Sequence, residues 1–319
     1  MANDRTLLVT GASGHLGRRV LNLLLAAGTR SIVATTRYPD RLADFARRGV
    51  VVRGADFDRP ESLDAAFAGA HRMLLISTNA ADGAERAGPN EAHAGAADHG
   101  TRPASRDGDA SERRRLRHAA AIAAAEAAGI EHVVYTSLAR ADTSELAIAA
   151  DHVATERRIA ATRLGYTVLR ANVFAELLLM VLPSAVASGV LLGLPGDGGV
   201  AYITRDDCAF AAATALMTAA GRSTLELTGA EVIRRAPLAR IATDVTGKDV
   251  FYVALSPDEL TRRWQAAGLP PSYLLPLEQA TVDGQFAFTT TDYLRLTGRQ
   301  PTAVHDYLTA NRHALARAA

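Results

Sequence analysis

Leu7-Leu8-Val9-Thr10-Gly11-Ala12-Ser13-Gly14-His15-Leu16-Gly17-Arg18-Arg19 is the stretch whose reading decides the fold. A short apolar run breaks into three glycines spaced G-x-x-G-x-x-G. An amphipathic stretch begins at once, with Leu16, Val20, Leu23, Leu24 and Ala27 on one helical face. The order is strand, tight turn, helix. Glycine lets the backbone turn sharply and approach a pyrophosphate, and a helix N-terminus offers unpaired N–H groups to the anion. Gly11, Ala12, Ser13, Gly14, His15, Leu16 and Gly17 are therefore expected to cradle a dinucleotide. The glycines alone leave NAD, NADP and a flavin nucleotide open.

Outward from this turn, the first half alternates short β-rich runs with helical ones. Residues 30–36, 50–52, 73–77, 132–137 and 167–169 read as strands, and residues 41–48, 60–67, 116–128 and 145–164 as helices. Nearly continuous apolar strands separated by helices imply a parallel sheet covered on both faces. The predicted class is α/β, a Rossmann-type doubly wound parallel sheet, with a smaller α+β second lobe. The nucleotide-binding part is predicted over residues 1–173 and the substrate lobe over 174–319, with a crossing of the chain between lobes left open. In the second lobe, residues 190–194 and 200–203, joined through Gly196-Asp197-Gly198-Gly199, read as a hairpin. Ser256-Pro257-Asp258-Glu259 reads as a capping box that opens a helix. A cleft between lobes is where a substrate is expected.

Between Thr78 and Leu116 there is no Leu, Ile, Val, Met, Phe, Tyr, Trp or Cys. Such a stretch buries too little apolar surface to offset the entropy of ordering. A solvated insertion is predicted over residues ~80–115, a lid being the less favoured reading. His93 and His99, with Glu91 and Asp98, fall inside it, and no metal site is expected.

The chain has 319 residues, 48% hydrophobic and 22% charged, as expected of a globular protein. A net charge of +1 makes no electrostatic case for nucleic acid or an acidic membrane surface. The N-terminal residues contain no long apolar run, and no run is long enough for a membrane span, so a cytoplasmic protein is expected. Cys208 is the only cysteine and Lys248 the only lysine.

Arg37 stands twenty residues after Gly17, at the end of the second predicted strand. An Asp or Glu there would hold the ribose 2′-hydroxyl of NAD, whereas an arginine pairs with the 2′-phosphate of NADP. Thr35, Thr36 and Arg37 offer donors and no carboxylate, so NADP(H) is the expected cofactor, with Arg41 able to share the phosphate. Asp56 follows the third strand, where an adenine docks, and Asp58 reads equally as a helix cap ahead of Pro60. The lone lysine excludes the Tyr-x-x-x-Lys relay, in which lysine lowers the tyrosine pKa. Hydride transfer to an electron-poor acceptor, or no turnover, is then favoured. Tyr135 and His152 are the candidate proton donors. The plainer readings are a buried aromatic for Tyr135 and a surface pair with Glu156 for His152.

Tyr135-Thr136-Ser137-Leu138-Ala139-Arg140-Ala141-Asp142-Thr143-Ser144, continuing through Asp151-His152-Val153-Ala154-Thr155-Glu156, resembles the NmrA-like atypical short-chain dehydrogenase/reductases. Within them it is most similar to the bacterial NADPH:quinone oxidoreductases. Thr204-Arg205-Asp206-Asp207, Thr246-Gly247-Lys248 and Leu296-Thr297-Gly298-Arg299-Gln300-Pro301 match further landmarks. The resemblance implies NADPH bound by residues 11–16, Arg37, Ser77, Thr78, Asn79 and Arg170. It also implies reduction of a small quinone-like acceptor by direct hydride transfer, and leaves a homodimer open. Ala171 and Asn172, where relatives carry Asn directly after the strand-six arginine, and Arg157, where they often carry Lys, depart from the pattern. The alternative implied by the family is an NADP(H)-binding redox sensor without turnover.

Overall fold

The computed structural model describes residues 5–78 and 107–316, with side chains from residue 110 onward in the second segment. Four βα units open the chain. They comprise β1 (Leu7–Val9), α1 (His15–Ala26), β2 (Ile32–Thr36), α2 (Ala43–Ala46), β3 (Val51–Gly54), α3 (Leu63–Phe67), β4 (Arg72–Leu75) and α4 (Asp107–Ala127). β5 (His132–Leu138), α5 (Ala149–Ala160) and β6 (Gly165–Ala171) follow, then α6 (Leu178–Ser188), β7 (Val190–Gly193) and β8 (Gly199–Val200). Next come α7 (Arg205–Thr218), β9 (Arg222–Leu227), β10 (Ile233–Arg234), α8 (Arg235–Thr246) and β11 (Phe251–Ala254). The chain closes with α9 (Pro257–Ala266), α10 (Pro271–Val282), α11 (Asp292–Thr297), α12 (Val304–Ala310) and α13 (Arg312–Leu315).

Seven strands form one parallel sheet in the order β3-β2-β1-β4-β5-β6-β9. β1 pairs with both β2 and β4, so the strand order reverses there, and the carboxyl ends of those strands open a crevice for a ligand. Leu7, Leu8 and Val9 are buried on both faces, which is why β1 reads as unbroken apolar sequence. On one face α1 supplies Val20, Leu21 and Leu24, and packs with the alanine-rich α7. On the other face α3, α4 and α5 cover Leu8, Met73, Val133 and Tyr135. Residues 205–227 thus return to the sheet after α6, β7 and β8 have left it. A separate core joins α6, α8, α10, α12 and α13 through Leu182, Leu238, Ala280, Leu308 and Leu315, with Phe286 from the segment after α10.

Three expectations are corrected. α4 begins at Asp107, within the predicted insertion, and polar contacts with Asp151 hold its N-terminal half: the Ser111 hydroxyl donates to that carboxylate at 2.5 Å, and buried Arg114 faces it. Residues 79–106, which hold Asn79, His93 and His99, lie outside the described residues. The hairpin does not form: β7 pairs in parallel with β11, and β8 pairs antiparallel with β10. The glycines between β7 and β8 serve packing, since a Cβ at Gly198 would collide with the backbone of Thr281. Asp58 caps no helix; its carboxylate takes a two-pronged ion pair from Arg117, with Nε–Oδ1 at 2.7 Å.

Candidate functional site

The turn after β1 is built around contacts that only glycine permits. Gly11 has φ +58°, in the left-handed region. The Gly14 N–H donates to Gly11 O at 3.0 Å. A Cβ at Gly17 would stand 2.5 Å from Gly11 O and 2.7 Å from Ala12 Cα, so α1 seats directly on the turn. Thr10 locks the turn to the neighbouring strand: its hydroxyl donates to Leu74 O at 3.0 Å and accepts from the Ile76 N–H at 3.1 Å. The Ser13 and Thr36 hydroxyls meet at 2.8 Å, bringing the turn to the end of β2. Gly14 caps α1 without a side-chain hydrogen bond, and the first turn of α1 holds no acidic residue. This is an N-terminus open to an anion, and His15 and Leu16 are its first helical residues.

Beyond Thr36, Tyr38 carries arginines: Arg37 lies over its ring at 5.8 Å and Arg41 at 4.7 Å. Arg18 on α1 donates to Arg41 O at 2.8 Å, fixing this corner to the turn. Arg37, Gly54, Ala55, Asp56, Arg59 and Ser62 line a cavity of about 330 Å³. Asp56 lies in it with its carboxylate engaged, accepting from the Asp58 N–H at 3.1 Å and pairing with Arg59 at 3.4 Å. A glycine cradle, an uncapped helix N-terminus and a cationic corner beyond β2 fit a dinucleotide bearing a 2′-phosphate.

At the end of β4, the Ser77 N–H donates to Thr136 Oγ1 at 2.8 Å. The Thr78 N–H donates to His118 Nε2 at 3.1 Å. The other ring nitrogen of His118 lies 2.9 Å from Thr155 Oγ1, which itself donates to Asp151 O. Tyr135 is 0% exposed and His152 6%, and the Tyr135 hydroxyl meets His152 Nδ1 at 2.9 Å. Burial pushes the Tyr135 phenol well above its ordinary value. Burial, reinforced by Arg114, pushes both His118 and His152 down to about 3. Both shifts favour the neutral side chains. The expected surface pair between His152 and Glu156 is absent, because Glu156 turns instead to Ser137 and Arg170.

Arg170 sits at the centre of an acidic cluster. It reaches Glu156 at 2.7 and 3.0 Å, Asp142 at 3.0 Å and Glu226 at 3.2 Å. Its guanidinium, held charged by the hydrogen bonds to Glu156, ties β6 to α5, to β9 and to the loop after β5. Sequence reasoning missed His118, Arg114 and Glu226. His118 carried no motif signal, since its partners lie 37 to 40 residues away.

A family model described as NAD(P)H-binding matches residues 11–219. The chain is 33% identical to quinone oxidoreductase 2 of Escherichia coli K12 over 264 residues, which is 82% of each chain. Among solved structures, the NADPH-dependent quinone oxidoreductase of Escherichia coli complexed with NADPH superposes with a TM-score of 0.80 at 30% identity, covering 96% of this chain and 100% of that one. The Citrobacter sp. triphenylmethane reductase complexed with NADP(H) gives a TM-score of 0.80 at 28% identity, covering 98% and 100%. The matched segment runs from the glycine turn to the end of α7, the part of the chain that builds the cradle and most of the sheet. This chain belongs to the NAD(P)H-binding family, among relatives that are NAD(P)H-dependent oxidoreductases.

Proposed function

We propose that the protein reduces quinones, or similar conjugated electron-poor acceptors, with NADPH. The observation that carries this reading is the corner where the uncapped α1, the Gly11–Gly17 turn and the arginines on Tyr38 meet. The bound nicotinamide supplies a hydride. The chain's own residues do the rest. Gly11, Gly14 and Gly17 let the turn approach the pyrophosphate, and Ser13 holds the turn to β2. Arg37 and Arg41 read the 2′-phosphate. Ser77 and Thr78, pinned by Thr136 and His118, form the rim toward the nicotinamide.

Tyr135 and His152 act in this reading as internal supports. A fully buried phenol with a raised pKa is a poor acid, and a histidine at about 3 carries no proton to give near neutrality. Protons then come from solvent. That suits an acceptor whose reduced form is a stabilised quinol anion, and not a simple ketone, whose alkoxide needs strong proton delivery. The same shortage of acid is what favours the second reading, an NADP(H) sensor without turnover.

NADPH oxidation followed with a panel of neutral quinones and simple ketones tests the assignment. Turnover with quinones and none with ketones is the expected result. Tight NADPH binding with no oxidation by any acceptor supports the sensor instead.

A further inference from the structure

Arg140 is the one non-glycine residue in the left-handed region among the described residues, with φ +50°. Such a backbone is costly for an arginine and persists only where the surroundings hold it. Here they do. The Arg140 N–H donates to both carboxylate oxygens of Glu226, at 3.1 and 3.2 Å. Glu226 is fixed in turn by Arg170 and by its own backbone, whose N–H donates to Asp292 at 2.9 Å. Strained backbone held this firmly directs a side chain, and that side chain is unusual. The Arg140 guanidinium carbon lies 3.9 Å from the centroid of the Phe288 ring. The nearby carboxylates of Asp142, Glu156 and Glu226 are spent on Arg170 or on the Arg140 backbone. No ion pair of the Arg140 side chain is formed among the described residues.

The position matters as much as the charge. Arg140 follows the carboxyl end of β5, beside the carboxyl ends of β6 and β9, on the edge where this fold binds ligands. Phe288 belongs to the segment between α10 and α11, which approaches the same edge through the bond from Asn172 to Phe286 O at 3.2 Å. A half-buried guanidinium stacked on a half-buried phenyl ring presents two flat groups and a fork of unspent N–H donors.

We propose that Arg140 and Phe288 form the specificity platform of the acceptor site, and that the preferred acceptors are planar conjugated molecules bearing an anionic substituent. This rests on the reductase reading given above. The ring of the acceptor lies against the Phe288–Arg140 stack, and its sulfonate, carboxylate or phosphate group accepts from the guanidinium.

The test compares binding of anthraquinone-2-sulfonate with that of neutral 2-(hydroxymethyl)anthraquinone to the full chain saturated with NADP⁺, by calorimetry, alongside NADPH oxidation by each. The wild type should bind the sulfonate about tenfold more tightly or better. Arg140→Gly removes the guanidinium and also accepts φ +50° without strain, so it keeps the fold. It should abolish the preference, Arg140→Lys should retain part of it, and Phe288→Leu should weaken both ligands together. A wild type without preference, or an equal loss of both ligands in Arg140→Gly, overturns the proposal. Binding that depends on Arg140 with no NADPH oxidation would keep the platform and overturn the reductase reading. Quinone reduction indifferent to charge would do the reverse, and a chain that binds neither ligand overturns both.

Discussion

Gly17 is where turn and helix can least be separated. Its missing Cβ is occupied by Gly11 O and Ala12 Cα, both backbone, so nothing flexible can give way. Gly17→Ala should cost about 2 kcal/mol of stability, as overpacking does. It should also raise the NADPH dissociation constant, since relief can come only from moving α1 off the turn. Thermal unfolding with and without NADPH measures both, and a variant with wild-type Tm in both conditions would contradict the packing argument. On the reading proposed above, in which Arg37 holds the 2′-phosphate, Arg37→Asp should reverse the cofactor preference by offering a carboxylate suited to a free 2′-hydroxyl. The ratio of NADPH to NADH dissociation constants should rise at least about tenfold, roughly the weight of one charge-assisted contact. Gly17 was legible in the sequence, because a tight turn before a helix encodes its chemistry in short spacing, and the same spacing placed Arg37 directly after β2. The ion-pair cluster around Arg170 was not: its members Asp142, Glu156 and Glu226 come from three different segments, and only the fold brings them together.

At the scale of elements, α4, α5 and β5 share a buried polar seam. His118 and His152 stay neutral there, pushed by burial from 6.5 to about 3. The unfolded chain takes up protons near pH 6.5, and the folded one does so only near 3. Their contribution is therefore fully present above pH 6.5 and is lost as the pH falls toward 3. The slope is at most about 1.4 kcal/mol per pH unit for each histidine. Urea midpoints at stepwise lower pH should fall accordingly, and His152→Asn should flatten the slope; an equal slope in the variant would remove His152 from the account. Arg72 on β4 is buried and donates to Leu216 O at 2.5 Å, Ala219 O at 2.6 Å and Ala215 O at 3.0 Å, closing the last turn of α7. Arg72→Met should destabilise the fold by about 3 kcal/mol by stranding buried carbonyls. The early elements were readable from apolar period alone. The N-terminal half of α4 was not, since Ser111, Arg114 and Arg115 meet Asp151 there, where a hydropathy reading looks for leucines.

At the scale of the molecule, the chain leaves the sheet after β6, returns to it with α7 and β9, and finishes beside it. Asp207 secures that return. It is buried at the start of α7, and its carboxylate accepts from the Thr204 hydroxyl at 2.7 Å, the Thr302 N–H at 3.0 Å and the Tyr293 hydroxyl at 3.1 Å. The motifs around Thr204–Asp207 and Leu296–Pro301, far apart in sequence, meet at this one side chain. Spacing could show neither that meeting nor the parallel pairing of β7 with β11, which needs two distant segments to be brought together. What the spacing did show was the glycine turn after β1 and the arginines beyond β2, and the central claim depends on these. It is tested most directly by mixing the protein with one equivalent of NADPH and a neutral naphthoquinone under anaerobic conditions, and following the absorbance of the reduced nicotinamide together with the products. The account predicts loss of that absorbance with one quinol formed per NADPH, at a rate that collapses when NADH replaces NADPH. NADPH that binds tightly and remains reduced in the presence of quinone would contradict it.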